Sequence, residues 1–357
     1  MYTKRKYTMN VTSNATAAGS FPLAFGLKTS FGFMHYAKAP AINLRPKESL
    51  LPEMSDGVLA LVAPVVAYWA LSGIFHVIDT FHLAEKYRIH PSEEVAKRNK
   101  ASRMHVFLEV ILQHIIQTIV GLIFMHFEPI YMTGFEENAM WKLRADLPRI
   151  IPDAAIYYGY MYGMSALKIF AGFLFVDTWQ YFLHRLMHMN KTLYKWFHSV
   201  HHELYVPYAY GALFNNPVEG FLLDTLGTGI AMTLTHLTHR EQIILFTFAT
   251  MKTVDDHCGY ALPLDPFQWL FPNNAVYHDI HHQQFGIKTN FAQPFFTFWD
   301  NLFQTNFKGF EEYQKKQRRV TIDKYKEFLQ KRELEKKEKL KNFKAMNAAE
   351  NEVKKEK

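Results

Sequence analysis

Residues 164–188 read MSALKIFAGFLFVDTWQYFLHRLMH and pass from an apolar run directly into a histidine pair. The apolar part, 164–183, is about as long as a helix needs to be to cross a bilayer. His184 and His188 follow at a spacing of four residues. That spacing puts two side chains on one face of a helix and is used by helical metal sites. The stretch therefore predicts a membrane helix that ends at a metal site.

Two further histidine clusters share the pattern His-x-x-His-His. The two copies are His198-Ser-Val-His201-His202 and His278-Asp-Ile-His281-His282. Because positions i, i+3 and i+4 lie on one face of a helix, each set of three imidazoles is expected to point the same way. Eight imidazoles are twice what one tetrahedral zinc ion uses, so the clusters indicate two metal ions. The competing interpretation is a set of hydrogen-bonded interfacial histidines.

Composition separates a membrane-embedded core from a charged tail. Hydrophobic residues make up 49% of the chain, and the single cysteine, Cys258, excludes an intrachain disulfide or a Cys-rich zinc module. Residues 308–357 hold 17 Lys/Arg and 10 Asp/Glu, an excess equal to the formal net charge of +7. Their Glu/Lys spacing predicts a solvated helix over 322–343. Because the excess basic charge is confined to this tail, we expect the tail to contact solvent or an anionic membrane surface. No nucleic acid is expected as a partner.

Three long apolar runs and one shorter pair predict the membrane topology. The runs cover 58–80, 104–127 and 164–183, and the pair 220–235 and 242–254 predicts a hairpin that dips into the bilayer or spans it tightly. We therefore expect an all-α integral membrane protein with about four transmembrane or membrane-dipping helices and a cytosolic, histidine-rich cap that holds a dinuclear metal site. The alternative is a soluble protein with buried core helices.

Loop charge predicts the orientation. Residues 81–103 contain six Lys/Arg and residues 128–163 contain three, so the positive-inside rule puts the first loop in the cytosol. All three histidine clusters and the C-terminus then face the cytosol, and the N-terminal sequons at Asn10 and Asn14 face the lumen. The last four residues, Lys354-Lys355-Glu356-Lys357, are similar to a dilysine retrieval signal of the endoplasmic reticulum. We expect a multi-pass protein of that membrane.

The same features divide the chain into four parts. By this interpretation, residues 1–57 form a lumenal N-terminal segment, 58–163 a first pair of membrane helices with their loops, 164–307 the catalytic domain, and 308–357 a charged cytosolic tail.

The histidine clusters resemble those of the membrane fatty acid hydroxylase superfamily. The runs 271–282, 285–291 and 293–300 look most like those of fungal sphinganine C4-hydroxylases. The resemblance implies two iron ions, which zinc can replace in a purified sample, with O₂ as oxidant and electrons from NAD(P)H through cytochrome b5 and its reductase. It further implies hydroxylation at C4 of sphinganine, or of its ceramide, to give phytosphingosine.

The resemblance also adds a ninth ligand. His257 matches a family ligand position, which completes the expected set His184, His188, His198, His201, His202, His257, His278, His281 and His282. A tenth ligand is open, because Ala261 replaces one family histidine and His236 and His239 lie at the hairpin tip. Three alternatives remain: a sterol C5-desaturase or C4-methyl oxidase of the same superfamily, a histidine-rich membrane protein that transports or senses zinc, and a structural interaction protein that zinc stabilises.

Overall fold

The structure is a computed structural model that describes residues 31–355. The sequons at Asn10 and Asn14 lie outside the described residues, as do Glu356 and Lys357 of the retrieval-like signal. Helices dominate the described chain. Strands β1 (Arg45–Pro46) and β2 (Met132–Thr133) form one short antiparallel pair, with Arg45 opposite Thr133.

The α-helices of residues 31–355 are α1 (Asp56–Thr80), α2 (Ser92–Arg98), α3 (Arg103–Phe127), α4 (Glu136–Asp146), α5 (Asp153–Tyr158), α6 (Met164–Met189), α7 (Lys191–Leu193), α8 (Pro217–Gly220), α9 (Gly227–Leu234), α10 (His239–Asp256), α11 (Pro266–Leu270), α12 (Ala275–His282), α13 (Phe298–Leu302) and α14 (Phe310–Lys355). Short π-helical segments cover Gly159–Gly163, Tyr194–His198 and Phe221–Leu226, and 3₁₀ turns cover Gly32–His35, Glu85–Tyr87, His201–Glu203 and Ala209–Gly211.

Three helical stretches are long and apolar enough to cross a membrane: α1, α3 and Asp153–Met189. The first two begin at serine N-caps, since the Ser55 hydroxyl accepts from Val58 N and the Ser102 hydroxyl from His105 N, each at 3.2 Å. The predicted helical, membrane-spanning architecture is confirmed. The third stretch begins earlier than the sequence predicted, because α5 and a π-helical segment precede α6 without a break.

The predicted hairpin also forms. Its first arm comprises α8, a π-helical segment and α9, and its second arm is α10. Thr238 and Glu241 make a capping box that starts α10, with Thr238 N donating to Glu241 Oε2 at 2.7 Å. Along its length α10 packs against α1, and it also contacts α6.

A polar residue in the first membrane helix is fully paired. Asp79, near the end of α1, accepts from the Tyr260 hydroxyl at 2.6 Å and forms an ion pair with Arg88 at 2.8 Å. A carboxylate in a membrane segment is expected to find such partners on the protein side.

The tail helix α14 is longer than the sequence predicted. It begins at Phe310, just after Gly309, instead of near residue 322, and continues to Lys355. The prediction was too short because it followed the Glu/Lys pairs. Tyr313 and Thr321 on the first turns instead contact the rest of the chain, with the Thr321 hydroxyl donating to Arg88 O at 2.9 Å.

Contacts divide the described chain into two units, one comprising residues 31–42 and 135–157 and the other residues 43–134 and 158–355. In the described part of the smaller unit, α4 is joined to the preceding segment by hydrogen bonds. Trp141 Nε1 donates to Tyr36 O at 3.0 Å and Asn138 Nδ2 to Pro40 O at 2.8 Å. The histidine clusters belong to the larger unit. The functional division into four segments stays a prediction.

Candidate metal centre

All nine histidines predicted as ligands are buried and lie in two groups. Within each group, one ring nitrogen from every histidine lies within 4.8 Å of the others. Group A is His184, His188, His198, His202 and His281, and group B is His201, His257, His278 and His282. Neither group, as searched through the described residues, includes His236 or His239. His239 instead contacts Glu128 at 2.8 Å.

In group A, four Nε2 atoms form a closed ring. The Nε2–Nε2 distances are 3.1 Å for His184–His198, 3.1 Å for His198–His202, 3.2 Å for His202–His188 and 3.1 Å for His188–His184. His281 adds a fifth imidazole, and its buried Nε2 has no hydrogen-bond partner in the described part of the chain.

In group B, the Nε2 atoms form an open chain. His282 and His278 are 3.0 Å apart, His278 and His257 are 3.0 Å apart, and His257 and His201 are 3.5 Å apart. The rings of His201 and His282 are also neighbours, with centroids 4.7 Å apart. The four imidazoles therefore surround one common point.

These distances fit metal coordination better than hydrogen bonding. An imidazole that carries its proton on Nδ1 has only a lone pair on Nε2, so two facing Nε2 atoms cannot bond to each other. Two nitrogens bound to one ion at about 2.0–2.1 Å, at right or tetrahedral angles, lie about 2.9–3.4 Å apart. The interpretation as hydrogen-bonded interfacial histidines is the weaker one for this arrangement. Nitrogen-only donors suit iron, copper, zinc or nickel.

Each His-x-x-His-His cluster contributes to both groups. His198 and His202 lie in group A while His201 lies in group B; conversely, His278 and His282 lie in group B while His281 lies in group A. The expectation that all three histidines of a cluster point the same way is therefore wrong. Consecutive helical residues diverge by about 100°, and the adjacent residues His201 and His202 lie in different groups, with their ring centroids 5.7 Å apart. The clusters thus bridge two neighbouring sites.

Backbone carbonyls hold four of the rings in position through Nδ1. A carbonyl oxygen only accepts, so each Nδ1 donates and the Nε2 lone pair is left for a metal. The four hydrogen bonds are His184 to Phe291 O at 2.8 Å, His201 to Phe214 O at 3.0 Å, His257 to Thr253 O at 2.8 Å and His281 to Thr289 O at 2.7 Å.

A carboxylate holds a fifth ring. Glu219 Oε1 makes a short contact with His198 Nδ1, and both side chains are almost completely buried. Burial raises the pKa of Glu219 to about 7 and lowers the pKa of His198 to about 3. Both shifts express the cost of charge without water, which a bound cation would offset.

Burial also keeps other rings neutral. It lowers the pKa of His257 to about 3 and that of His201 to about 4, and neighbouring histidines add to the shift. Neutral imidazole is the form that binds a metal. At neutral pH the centre therefore presents lone pairs instead of positive charge.

The sequence did not predict the network behind the second cluster. Asp279 lies between His278 and His281 and accepts from His90 Nε2 at 2.9 Å and from the Tyr313 hydroxyl at 2.7 Å. His90 belongs to the loop after α1, and Tyr313 to the tail helix. Nothing local marks either residue, because both are distant in sequence from the cluster. Asp255 and Asp256, by contrast, bond away from the histidines, to Gln268 and to Lys252.

An apolar cavity of about 150 Å³ leads towards the centre. It is enclosed by α1, α3, α9 and α10, and a smaller cavity of about 20 Å³ lies between it and the histidines His198, His201 and His257. One face of α10 lines the larger cavity over its length, through His239, Gln242, Phe246, Ala249, Thr250 and Thr253. An open apolar groove of about 280 Å³ between α1 and α3 shares Val65, His114 and Thr118 with this cavity.

Comparison with known proteins places these features in a family. The fatty acid hydroxylase family model matches residues 169–305. The chain is 44% identical to the sphingolipid C4-hydroxylase of Schizosaccharomyces pombe over 279 residues, which cover 75% of this chain and 95% of the relative. It is 42% identical to sphinganine C4-monooxygenase 1 of Arabidopsis thaliana over 71% of this chain and 88% of the relative. A very-long-chain aldehyde decarbonylase of Oryza sativa subsp. indica is 40% identical over 71% of this chain and 90% of the relative.

No solved structure gives a significant match to the chain. The similarity to the curated relatives nevertheless extends well beyond the histidine clusters, since it covers 75% of this chain. The resemblance inferred from the sequence is confirmed, and the chain belongs to the fatty acid hydroxylase family of enzymes.

Proposed function

We propose that this protein hydroxylates C4 of a sphingoid base, sphinganine or its ceramide, to give the phytosphingosine form. The observation that supports it most directly is the pair of buried histidine groups at the end of an apolar cavity. Two of the most similar relatives are named for C4 hydroxylation of sphingolipids or sphinganine.

The nine histidines would hold two iron ions, one in each group. When bound, iron supplies the oxidising chemistry with O₂ that insertion of one oxygen atom into an unactivated C–H bond requires. The chain's own part is to keep the imidazoles neutral and oriented. Carbonyls fix His184, His201, His257 and His281, and Glu219 fixes His198. Burial of all nine rings excludes bulk water from the reacting carbon.

The length of the cavity wall suits a long alkyl chain. From His239 to Thr253, the lining face of α10 extends about 21 Å, at about 1.5 Å per residue. With C4 at the histidines, an 18-carbon base has about 14 carbons left, which extend roughly 18 Å at about 1.3 Å per carbon. The groove between α1 and α3 would let such a chain enter from the surrounding lipid.

Electrons are proposed to come from NAD(P)H through cytochrome b5 and its reductase. The proposed location is the endoplasmic reticulum membrane, with the histidine groups on the cytosolic side. The excess of Lys/Arg in residues 81–103 supports this orientation.

Expression in a yeast strain that lacks long-chain-base hydroxylation tests the proposal. The wild-type chain should restore phytosphingosine, measured by mass spectrometry of extracted lipids. His201→Ala and His281→Ala each remove one ring from a different group and should abolish the product. His236→Asn serves as the matched control, because His236 lies outside both groups and asparagine tolerates its left-handed backbone, φ +51°.

The same strain distinguishes other outcomes. Consumption of a sterol intermediate, or formation of an alkane from a supplied long-chain aldehyde, would show that the protein has the activity of a related enzyme and not C4 hydroxylation. Product formation that persists under iron chelation, or in the His201→Ala and His281→Ala variants, would contradict the assigned centre.

A further inference from the structure

Three side chains separate the apolar cavity from the small cavity beside the histidines. Gln180, Asp224 and Thr253 line both cavities. A substrate whose alkyl chain fills the larger cavity therefore has to pass these residues to reach the metal groups. We call these three residues the passage.

The passage carries hydrogen-bond acceptors without donors. Gln180 Nε2 donates to Asp224 Oδ1 at 2.9 Å. Among the described residues no hydrogen bond reaches the remaining oxygens of this pair, Gln180 Oε1 and Asp224 Oδ2, and the side chain of Asp224 is only partly buried. Gln180 is more than nine-tenths buried. By contrast, the Thr253 hydroxyl is already used, since it donates to Ala249 O at 3.0 Å.

A third free acceptor lies deeper in the small cavity. Glu219 uses Oε1 for His198, and its buried Oε2 has no partner among the described residues. Buried acceptors that lack donors are unfavourable and are rarely left in native proteins. Here they line a space that a ligand would enter, so they indicate a ligand rich in O–H and N–H donors.

We infer that Gln180 and Asp224 bind the polar head of the substrate through its hydroxyl and nitrogen donors. The inference rests on the proposed function and adds the residues that select the substrate. A sphingoid base carries two hydroxyl groups and a nitrogen on the three carbons next to C4. When C4 meets the histidines, the chain from C5 onwards runs through the passage into the larger cavity, and the donors on C1 to C3 lie in the small cavity beside Gln180 and Asp224.

The chemistry of the passage separates candidate substrates. A long-chain aldehyde offers an oxygen that only accepts, so it leaves the oxygens of Gln180 and Asp224 unpaired. An amino alcohol pairs them. A site built to receive donors discriminates strongly against a ligand that lacks them, because its own polar groups are then buried without partners.

The test is the Asp224→Asn variant, assayed in membranes with sphinganine. The amide can still accept from Gln180 through Oδ1, but it turns the acceptor that faces the cavity into a donor. We expect KM for sphinganine to rise about 10-fold to 100-fold, the loss typical of one hydrogen bond to a charged group, with kcat within about threefold. Gln180→Met, which keeps the volume of the side chain and removes its acceptor, should also raise KM.

A substrate analogue provides the second readout. The wild-type protein should prefer sphinganine over 1-deoxysphinganine, which lacks the terminal hydroxyl, and both variants should lose most of this preference. Asp177→Asn is the matched control: Asp177 lies one turn before Gln180 and binds the backbone of Phe295 and Phe296, so its replacement should leave KM unchanged. Unchanged KM and preference in Asp224→Asn and Gln180→Met, in a chain that makes phytosphingosine, would overturn the inference. A wild-type chain without phytosphingosine would instead refute the proposed function.

Discussion

Glu219 is the residue whose role at the metal centre can be separated most clearly from ligation. Among the described residues its hydrogen bond is to His198 Nδ1, the nitrogen that faces away from the ring of Nε2 atoms. Partners of this kind fix the ring orientation and raise the basicity of the ligand. Their loss usually costs 10-fold to 100-fold in metal affinity or activity.

Glu219→Gln should therefore lower both iron content and hydroxylation by about 10-fold to 100-fold. The amide cannot supply the negative charge that stabilises the His198 proton. Iron per protein, measured by inductively coupled plasma mass spectrometry, is the first readout, and product formation is the second. Glu203→Gln is the control, because Glu203 follows His202 directly but has no hydrogen bond through its side chain in the described chain. Full iron content in Glu219→Gln would show that the carboxylate has no part in metal binding.

His90 gives the protein a pH-dependent contact outside the metal groups. Burial disfavours its charged form, but Asp279 and Glu94 outweigh burial and raise the pKa of His90 to about 9. The Tyr313 hydroxyl and Arg98 also face this ring, at 3.3 Å and 3.4 Å. Because the folded pKa lies above the ordinary value near 6.5, the stabilisation is complete below about pH 6.5 and is lost as pH rises through 9.

We expect the thermal midpoint of the purified protein to fall between pH 7 and pH 9.5. The full effect is on the order of 3 kcal/mol. His90→Gln, which retains a donor for Asp279 without a titrating ring, should have a lower midpoint at pH 7 and a flatter profile in this range. Differential scanning fluorimetry in detergent measures both. Parallel profiles for the two proteins would rule out His90 as the titrating group.

At the residue scale, spacing in the sequence predicted the histidines that occur in repeated patterns and missed the functional residues that stand alone. The two His-x-x-His-His clusters and the His184–His188 pair could be found by spacing alone. His257 could not, because it stands alone after α10, and only family resemblance identified it. His90 and Gln180 carry no local pattern that points to the centre, since the carboxylates that they contact there, Asp279 and Asp224, are more than 40 residues away in sequence.

At the scale of elements, α10 combines two functions on one helix. One face lines the cavity from His239 to Thr253, and His257 follows directly at the end of the helix. The opposite side includes Ile244, which is 52% exposed. The helix therefore connects the depth of the cavity to the position of a metal ligand.

A residue larger than phenylalanine at position 246 should shorten the part of the cavity that an alkyl chain can occupy. Phe246 lies about 10 Å from Thr253 along the helix axis, which corresponds to about eight carbons beyond the passage. Phe246→Trp should reduce kcat/KM for an 18-carbon base at least tenfold more than for a 12-carbon base. Ile244→Trp places the same side chain on the exposed face and should leave the preference unchanged. Equal effects of Phe246→Trp on both substrates would exclude the cavity as the chain-binding site.

The tail helix α14 has an attached part and a projecting part. In the described chain, the hydrogen bonds and ring contacts that join it to other elements come from Phe310 to Phe328, for example Tyr313 to Asp279 and Phe328 to His82. Residues 331–345 are exposed throughout. The attached part therefore supports the histidine cluster at 278–282, whereas the projecting part does not.

Truncation after Gln330 should therefore leave the thermal midpoint within about 2 °C of the full chain. Tyr313→Phe, which removes one buried hydrogen bond to Asp279, should destabilise by about 1 kcal/mol and lower the midpoint by about 2–4 °C. Thermal unfolding of the two proteins side by side is the measurement. A large loss on truncation would mean that residues 331–357 pack against the enzyme.

Sequence reasoning predicted elements well where hydrophobicity decides them. The bounds of α1 and α3 differ from expectation by no more than two residues, because serine caps and apolar runs coincide there. It was less successful for α14, whose first turns are held by tertiary contacts, and for the start of the third membrane stretch, where a π-helical segment continues the helix.

At the scale of the whole molecule, the orientation in the membrane can be tested with introduced cysteines. The chain has one native cysteine, Cys258, which is 2% exposed and so provides a silent background. Lys331→Cys on the tail helix should react with a membrane-impermeant maleimide in intact microsomes. Ile130→Cys, at a position 78% exposed just after α3, should react only after detergent is added. Labelling of Ile130→Cys in intact microsomes would reverse the proposed orientation.

The sequence predicted that the three histidine clusters come together only because a shared metal site requires it. Loop charge placed all three on one side of the membrane, which a shared site needs. It gave no distances and no division into groups. The crossed assignment of His201 and His281 depends on how α6, α12 and the 194–203 segment meet, and that packing is not encoded by any one stretch.

The two groups of facing nitrogens affect how long the protein persists in the cell. Nine lone pairs brought together in a dry interior repel one another until cations arrive, so the metal-free chain should be the less stable form. If the bound ions are iron, as proposed above, iron supply should govern how much of this enzyme a cell retains. Starved cells should degrade newly made copies faster than cells with ample iron, at equal rates of synthesis, in a pulse-chase comparison.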